Sequence, residues 1–200
     1  MSEFFAFVQL GFRHITDLNA MDHILFLLAL AAIYRRRDWR NALWVVTAFT
    51  VGHSITLAMA VSGAVTLPTA LIEFLIPVTI VATCTGNILI GATDTRSRGR
   101  YRPLFAGVFG LVHGAGFANY LRDLFPDSIA TPLLGFNIGI EIGQVVVLAL
   151  AAIGLVAADR AIQIVRAFRA EQSALRVRVL LVSTVVMFVA MRWAVERNPW

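Results

Sequence analysis

Runs of mostly apolar residues, near the roughly 20 needed to cross a hydrocarbon core of about 30 Å as a helix, occur at 20–34, 41–64, 68–91, 103–125, 131–157 and 177–194. Short polar clusters separate them. The pattern predicts an all-α, polytopic membrane helix bundle with about six crossing helices in a single transmembrane domain. The first run ends at Tyr34, and its 15 residues reach only about 22 Å. The polar stretch from Arg13 to Asn19 is therefore expected partly below one surface, where irregular backbone is tolerated only against protein or a wet cavity. Ahead of it, Phe4 to Phe12 is largely apolar but follows Glu3 and lacks a basic leader and a small-residue cleavage pattern. That segment is expected to be retained, lying in the interface or half inserted. Residues 158–176 mix arginines with Ile162, Ile164, Val165 and Phe168, which predicts an amphipathic helix on the membrane surface.

The connections alternate in charge: four arginines in 35–40, none in 65–67, four in 92–102 and five from Arg160 to Arg178. The second outer connection holds only Arg122, beside Asp123 and Asp127. The excess of arginine predicts that three connections are cytoplasmic and that both termini lie outside. An even number of crossings requires the same. This orientation also accounts for the net charge of +5 and the pI near 10.6, so no nucleic-acid partner is expected and the lipid bilayer is the main one. All 17 basic residues are arginine, which excludes chemistry that needs a lysine amine, such as a retinal or pyridoxal Schiff base. The single cysteine, Cys84, excludes an internal disulfide and paired-thiolate metal sites. The four histidines are what remains.

Ionisable residues within membrane helices are costly, so each is a candidate for function. Counted from the arginine-rich ends, Asp22 and His23 lie about 17–20 Å up the first run, His53 about 18 Å and His113 about 15 Å up theirs. From the opposite ends, Glu73 is about 8 Å deep, and Asn137, Glu141 and Gln144 are about 9, 15 and 20 Å deep. These values cluster between the midplane and the outer face. Asn137, Glu141 and Gln144 share one helix face, with Gly135, Gly139 and Gly143 forming a packing stripe roughly opposite. Thr50 shares a face with His53, with Ser54 beside it. The inner half offers only Thr83, Cys84, Thr85 and Asn87 on the third run. A weak internal echo, Phe49-x3-His53-Ser54-x3-Ala58 against Phe109-x3-His113-Gly114-x3-Ala118, predicts two histidines at similar depth. Imidazoles with nearby carboxylates suit nickel, zinc, iron or cobalt.

Four strings carry a family resemblance: His14-Ile15-Thr16-Asp17-Leu18-Asn19-Ala20-Met21-Asp22-His23-Ile24-Leu25-Phe26, Thr47-Ala48-Phe49-Thr50-Val51-Gly52-His53-Ser54-Ile55-Thr56-Leu57, Phe109-Gly110-Leu111-Val112-His113-Gly114-Ala115-Gly116-Phe117-Ala118 and Gly135-Phe136-Asn137-Ile138-Gly139-Ile140-Glu141-Ile142-Gly143-Gln144. They resemble the HupE/UreJ family, small bacterial inner-membrane proteins assigned as nickel permeases. The resemblance implies that Asp22 and His23 close a histidine-aspartate-histidine signature opened by His14. Seven residues separate His14 from Asp22, more than in the better-known nickel-associated members.

The expected activity is secondary transport of a divalent transition-metal ion, nickel by the resemblance. The ion would lose water near Asp17 and Asp22 and bind His23, His53 and His113, with His14 and Glu141 as further ligands. Thr50, Ser54, Glu73, Asn137 and Gln144 would serve as surrounding or pathway groups. Two alternatives stand beside it. One is an intramembrane zinc-type hydrolase with Glu141 or Asp22 as base. The other is a metal-binding accessory subunit, and the short loops and packing glycines allow a homo-oligomer or a membrane-complex partner.

Overall fold

The computed structural model describes residues 3–19, 21–65, 68–90, 102–122, 130–164 and 171–200. Their elements are helices α1 (Glu3–Thr16), α2 (Asp22–Ala31), α3 (Trp39–Val61), α4 (Thr69–Ile90), α5 (Arg102–Arg122), α6 (Ala130–Ile164) and α7 (Glu171–Glu196), with a 3-10 turn at Arg36–Asp38. There is no strand among the described residues. The protein is a helical membrane bundle.

Among the described residues, four helices are long and apolar enough to cross a bilayer: α3, α4, α6 and α7. The other two expected crossings correspond to α5, of 21 residues, and to the shorter α2. Helix α2 has ten residues instead of the expected 15, because the chain leaves the helix at Ala32 before the arginine cluster. The expected surface helix at 158–176 is not a separate element among the described residues. Residues 158–164 finish α6 and 171–176 begin α7; with no proline after Pro132, α6 runs on for 35 residues. Val165 and Phe168, and also Asp123 and Asp127, lie outside the described residues.

Glycines decide which helices pair. A Cβ on Gly11 of α1 would sit 2.0 Å from the Phe136 carbonyl oxygen of α6, and one on Gly139 would sit 2.0 Å from that of Val8. The α3/α5 pair repeats this contact: a Cβ on Gly52 would meet the Gly107 carbonyl at 2.0 Å, and one on Gly110 that of Phe49 at 2.1 Å. Along the interfaces the contacts rise together, Phe4, Val8 and Ile15 against Gly135, Gly139 and Gly143, and Ala48, Phe49 and His53 against Gly107, Gly110 and Gly114, so both pairs run parallel with backbones touching. Only glycine permits that approach. Helix α1 thus lies along α6 and stops with Ile15 beside Gly143. One glycine is needed for its backbone angle: Gly63, at φ 76°, turns the chain after α3, and its N–H bonds the Ala60 carbonyl at 3.1 Å.

Short α2 lies within the bundle, with seven of its ten residues buried. Its last carbonyls need partners, because a helix end away from water leaves acceptors unsatisfied. Asn87 of α4 donates to the Ala29 carbonyl at 2.8 Å and lies 3.4 Å from the Ser183 hydroxyl of α7. Arg178 of α7 donates to the Ala32 carbonyl at 3.0 Å and the Tyr34 carbonyl at 2.8 Å, and pairs with Asp159 of α6. Side chains from three helices therefore hold the lower end of α2.

Candidate metal centre

The upper end of α2 begins beside the histidines. Met21, without a side-chain cap, occupies the cap position, and Asp22 is the first helical residue. An aspartate in a first turn is favoured by the helix dipole. Its Oδ1 accepts the His23 backbone N–H at 3.0 Å and lies 3.2 Å from His23 Nδ1. The carboxylate thus stands beside the His23 ring, where partners of metal-binding imidazoles are found.

Four helices each send one imidazole to the same place. The His23 ring of α2 is central, with centroids 4.6 Å from His14 of α1, 5.3 Å from His113 of α5 and 6.3 Å from His53 of α3. His14 and His53 are 5.9 Å apart. His14, His23 and His53 each offer a nitrogen, and these three atoms lie within 4.8 Å of one another. His53 is fully buried, His113 and His23 nearly so. Neither ring nitrogen of His53 has a hydrogen-bond partner, nor has Nε2 of His14, His23 or His113. Buried polar atoms are normally paired, so a cluster of unpaired nitrogens marks a place built for something that accepts their lone pairs. His113 shows the preparation most directly. Its Nδ1 lies 2.9 Å from the Phe109 carbonyl, which can only accept, so Nδ1 carries the proton and Nε2 is a free donor of electrons.

Aromatic rings enclose the cluster. Toward the arginine-rich end, Phe26 and Phe49 stack at 4.9 Å, and Phe49 lies 5.1 Å from His113; Phe109 meets Phe26 at 6.4 Å. On the other side Phe117 and Phe136 stack at 5.2 Å, with His14 4.1 Å from Phe117 and His53 6.3 Å from Phe136. A cavity of about 590 Å³ reaches His14 from the surface past Arg13, Asp17 and Asn19.

The other predicted residues sit apart from the imidazoles. Asp17 is exposed in the cavity wall and accepts the Asn19 backbone N–H at 2.8 Å. Gln144 is buried and accepts the Thr50 hydroxyl at 2.9 Å, one turn below His53. Glu141 is half-buried near the hydroxyls of Thr50 and Thr47. Ser54 bonds the Thr50 carbonyl at 2.6 Å. Asn137 keeps a buried, unpartnered Oδ1, and Glu73 is exposed on α4. The enclosing phenylalanines were not singled out from the sequence, although the echo contained the signal: Phe49-x3-His53 and Phe109-x3-His113 each put a ring one turn below a histidine.

These features define a helical membrane protein with an imidazole cluster buried among its helices. The chain belongs to the HupE/UreJ family: a family model described as HupE / UreJ protein matches residues 1–197. No curated protein and no solved structure matches it.

Proposed function

We propose that the protein carries a divalent transition-metal ion, nickel in keeping with its family, across the bacterial inner membrane through the imidazole cluster. The observation that carries this reading is the convergence of His14, His23, His53 and His113 from four helices with unpaired ring nitrogens. Nitrogen donors of this kind suit nickel, zinc, iron or cobalt, with nitrogen-rich sites binding nickel well. The arginine-rich end faces the cytoplasm, which places both termini outside. The ion sheds water at the cavity beside Asp17 and His14 and passes to His23, whose ring Asp22 orients and whose charge balance Asp22 supplies. A dication at depth needs such a carboxylate. The Phe26, Phe49 and Phe109 rings form a barrier below the cluster, so release to the cytoplasm requires these helices to part.

Metal titration of the purified protein in detergent, with nickel uptake into proteoliposomes, tests this. The wild type is expected to bind about one metal per chain and to accumulate nickel. His23→Ala and His53→Ala, each checked for folding by size-exclusion chromatography and circular dichroism, should weaken binding by at least about 10–100-fold, the loss typical when even an orienting partner is removed. Wild-type affinity in both folded variants would overturn the site.

A further inference from the structure

A second cavity, about 890 Å³, opens on the arginine-rich part of the bundle between the end of α2, α3, α6 and α7. Its wall is apolar. Leu43, Leu148, Ala149, Ala152 and Val156 line it, and the two alanines, both exposed, create the depth because neither fills the space beside α3. Its lower end is basic: Arg35, Arg37 and Arg160 border it. Arg178 also reaches the cavity but is committed to Asp159 and the carbonyls of Ala32 and Tyr34. Among the described residues, Arg35, Arg37 and Arg160 form no ion pair. Trp39 stands on the same rim and is 56% exposed, the position of an indole at the level of lipid headgroups.

The dimensions match one leaflet. From Val145 to Asp159 the α6 side of the cavity rises about 21 Å, against about 15 Å for half a hydrocarbon core plus the adjoining headgroup layer. We propose that this cavity is a binding site for one anionic phospholipid, an acyl chain lying along the alanine wall and the phosphate held by Arg35, Arg37 and Arg160. Guanidinium groups bind phosphate oxygens in pairs and hold them by geometry as well as charge. Charge complementarity favours this occupant over a second copy of the chain. A two-fold partner would bring the same three unpaired arginines against themselves.

Native mass spectrometry of the full chain tests this directly. Delipidated protein is offered equal amounts of phosphatidylglycerol and phosphatidylcholine. The wild type is expected to retain one phosphatidylglycerol in clear preference. Arg37→Ala and Arg160→Ala should each lower its retention about fivefold, the effect of about 1 kcal/mol per arginine near a lipid surface. Arg176→Ala, an exposed arginine outside the cavity, should leave it unchanged. Ala152→Trp fills the wall without altering charge and should also displace the lipid; Ala149→Phe serves if that variant does not fold. Equal retention of the two lipids by the wild type would overturn the proposal. So would retention unaffected by a folded wall-filling variant, since that result means attraction to the arginines alone. Adducts of a second chain in place of lipid would assign the cavity to an oligomer interface and likewise overturn it.

Discussion

At the scale of the residue, the same physical rule explains the histidines and Arg178: a polar group out of water must have a partner. Arg178, 5% exposed, meets this by spending its donors on the Ala32 and Tyr34 carbonyls just beyond α2 and on Asp159. Arg178→Met should therefore destabilise by about 3–5 kcal/mol, the cost of leaving one charge of a buried pair alone. Adding Asp159→Asn should restore part of that loss. Thermal unfolding in detergent would show the order wild type, double variant, single variant; a double variant no better than the single would mean that the carbonyl bonds, and not the ion pair, carry the stability. The histidines were legible in the sequence because imidazole inside an apolar run has few structural excuses. Their common depth could be counted from helix ends. What counting could not supply was the neighbour. Asn137, Glu141 and Gln144 were placed on one face by spacing, but which helix covers that face depends on tertiary packing, and the structure puts Thr50 there.

At the scale of the element, close packing of parallel helices sets where the imidazoles arrive. In both glycine pairs the touching atoms are backbone, so a side chain added there cannot rotate away. Gly52→Ala should push α3 from α5 and cost about 1–3 kcal/mol or more, moving His53 relative to His113. Gly154→Ala is the matched comparison: nothing lies within 4 Å of its added Cβ, so it should be neutral or stabilising by about 0.5–1 kcal/mol. Unfolding temperatures of the two variants measure this, and equal effects would show that glycine helix propensity, not the contact, governs both sites. The glycine stripe on α6 was readable as packing. Its partner was not, because α1 was too short to read as a crossing helix and gains its place only through Gly11 and the α6 glycines. The shortness of α2 was partly legible too, since Tyr34 ends the run before the arginines. Its exact end depends on Asn87 and Arg178, which are distant in sequence and give no local signal.

At the scale of the whole molecule, the cluster sits between two aromatic layers, and the side bearing His14 meets a cavity. On the proposed reading, metal binding there depends on the protonation of all four rings together. A protonated imidazole has no lone pair to offer a metal, so protons compete with the ion for the same nitrogens. The sign follows: binding should be strongest at neutral and higher pH and weaken as pH falls. Because several rings contribute, the fall should be steeper than for one titrating ligand. Nickel affinity and initial uptake rate, measured over about pH 5–8, should decline together if the cluster lies on the path. Uptake that stays flat while affinity falls would separate the cluster from transport and leave it a metal-holding site. Uptake and affinity both flat would mean that the imidazoles do not ligate the ion at all. Phe49→Ala adds a structural dimension to the same experiment. Removing one ring of the lower barrier should leave affinity close to wild type while raising metal leak down a gradient, because the imidazoles remain and the separation beneath them is thinned.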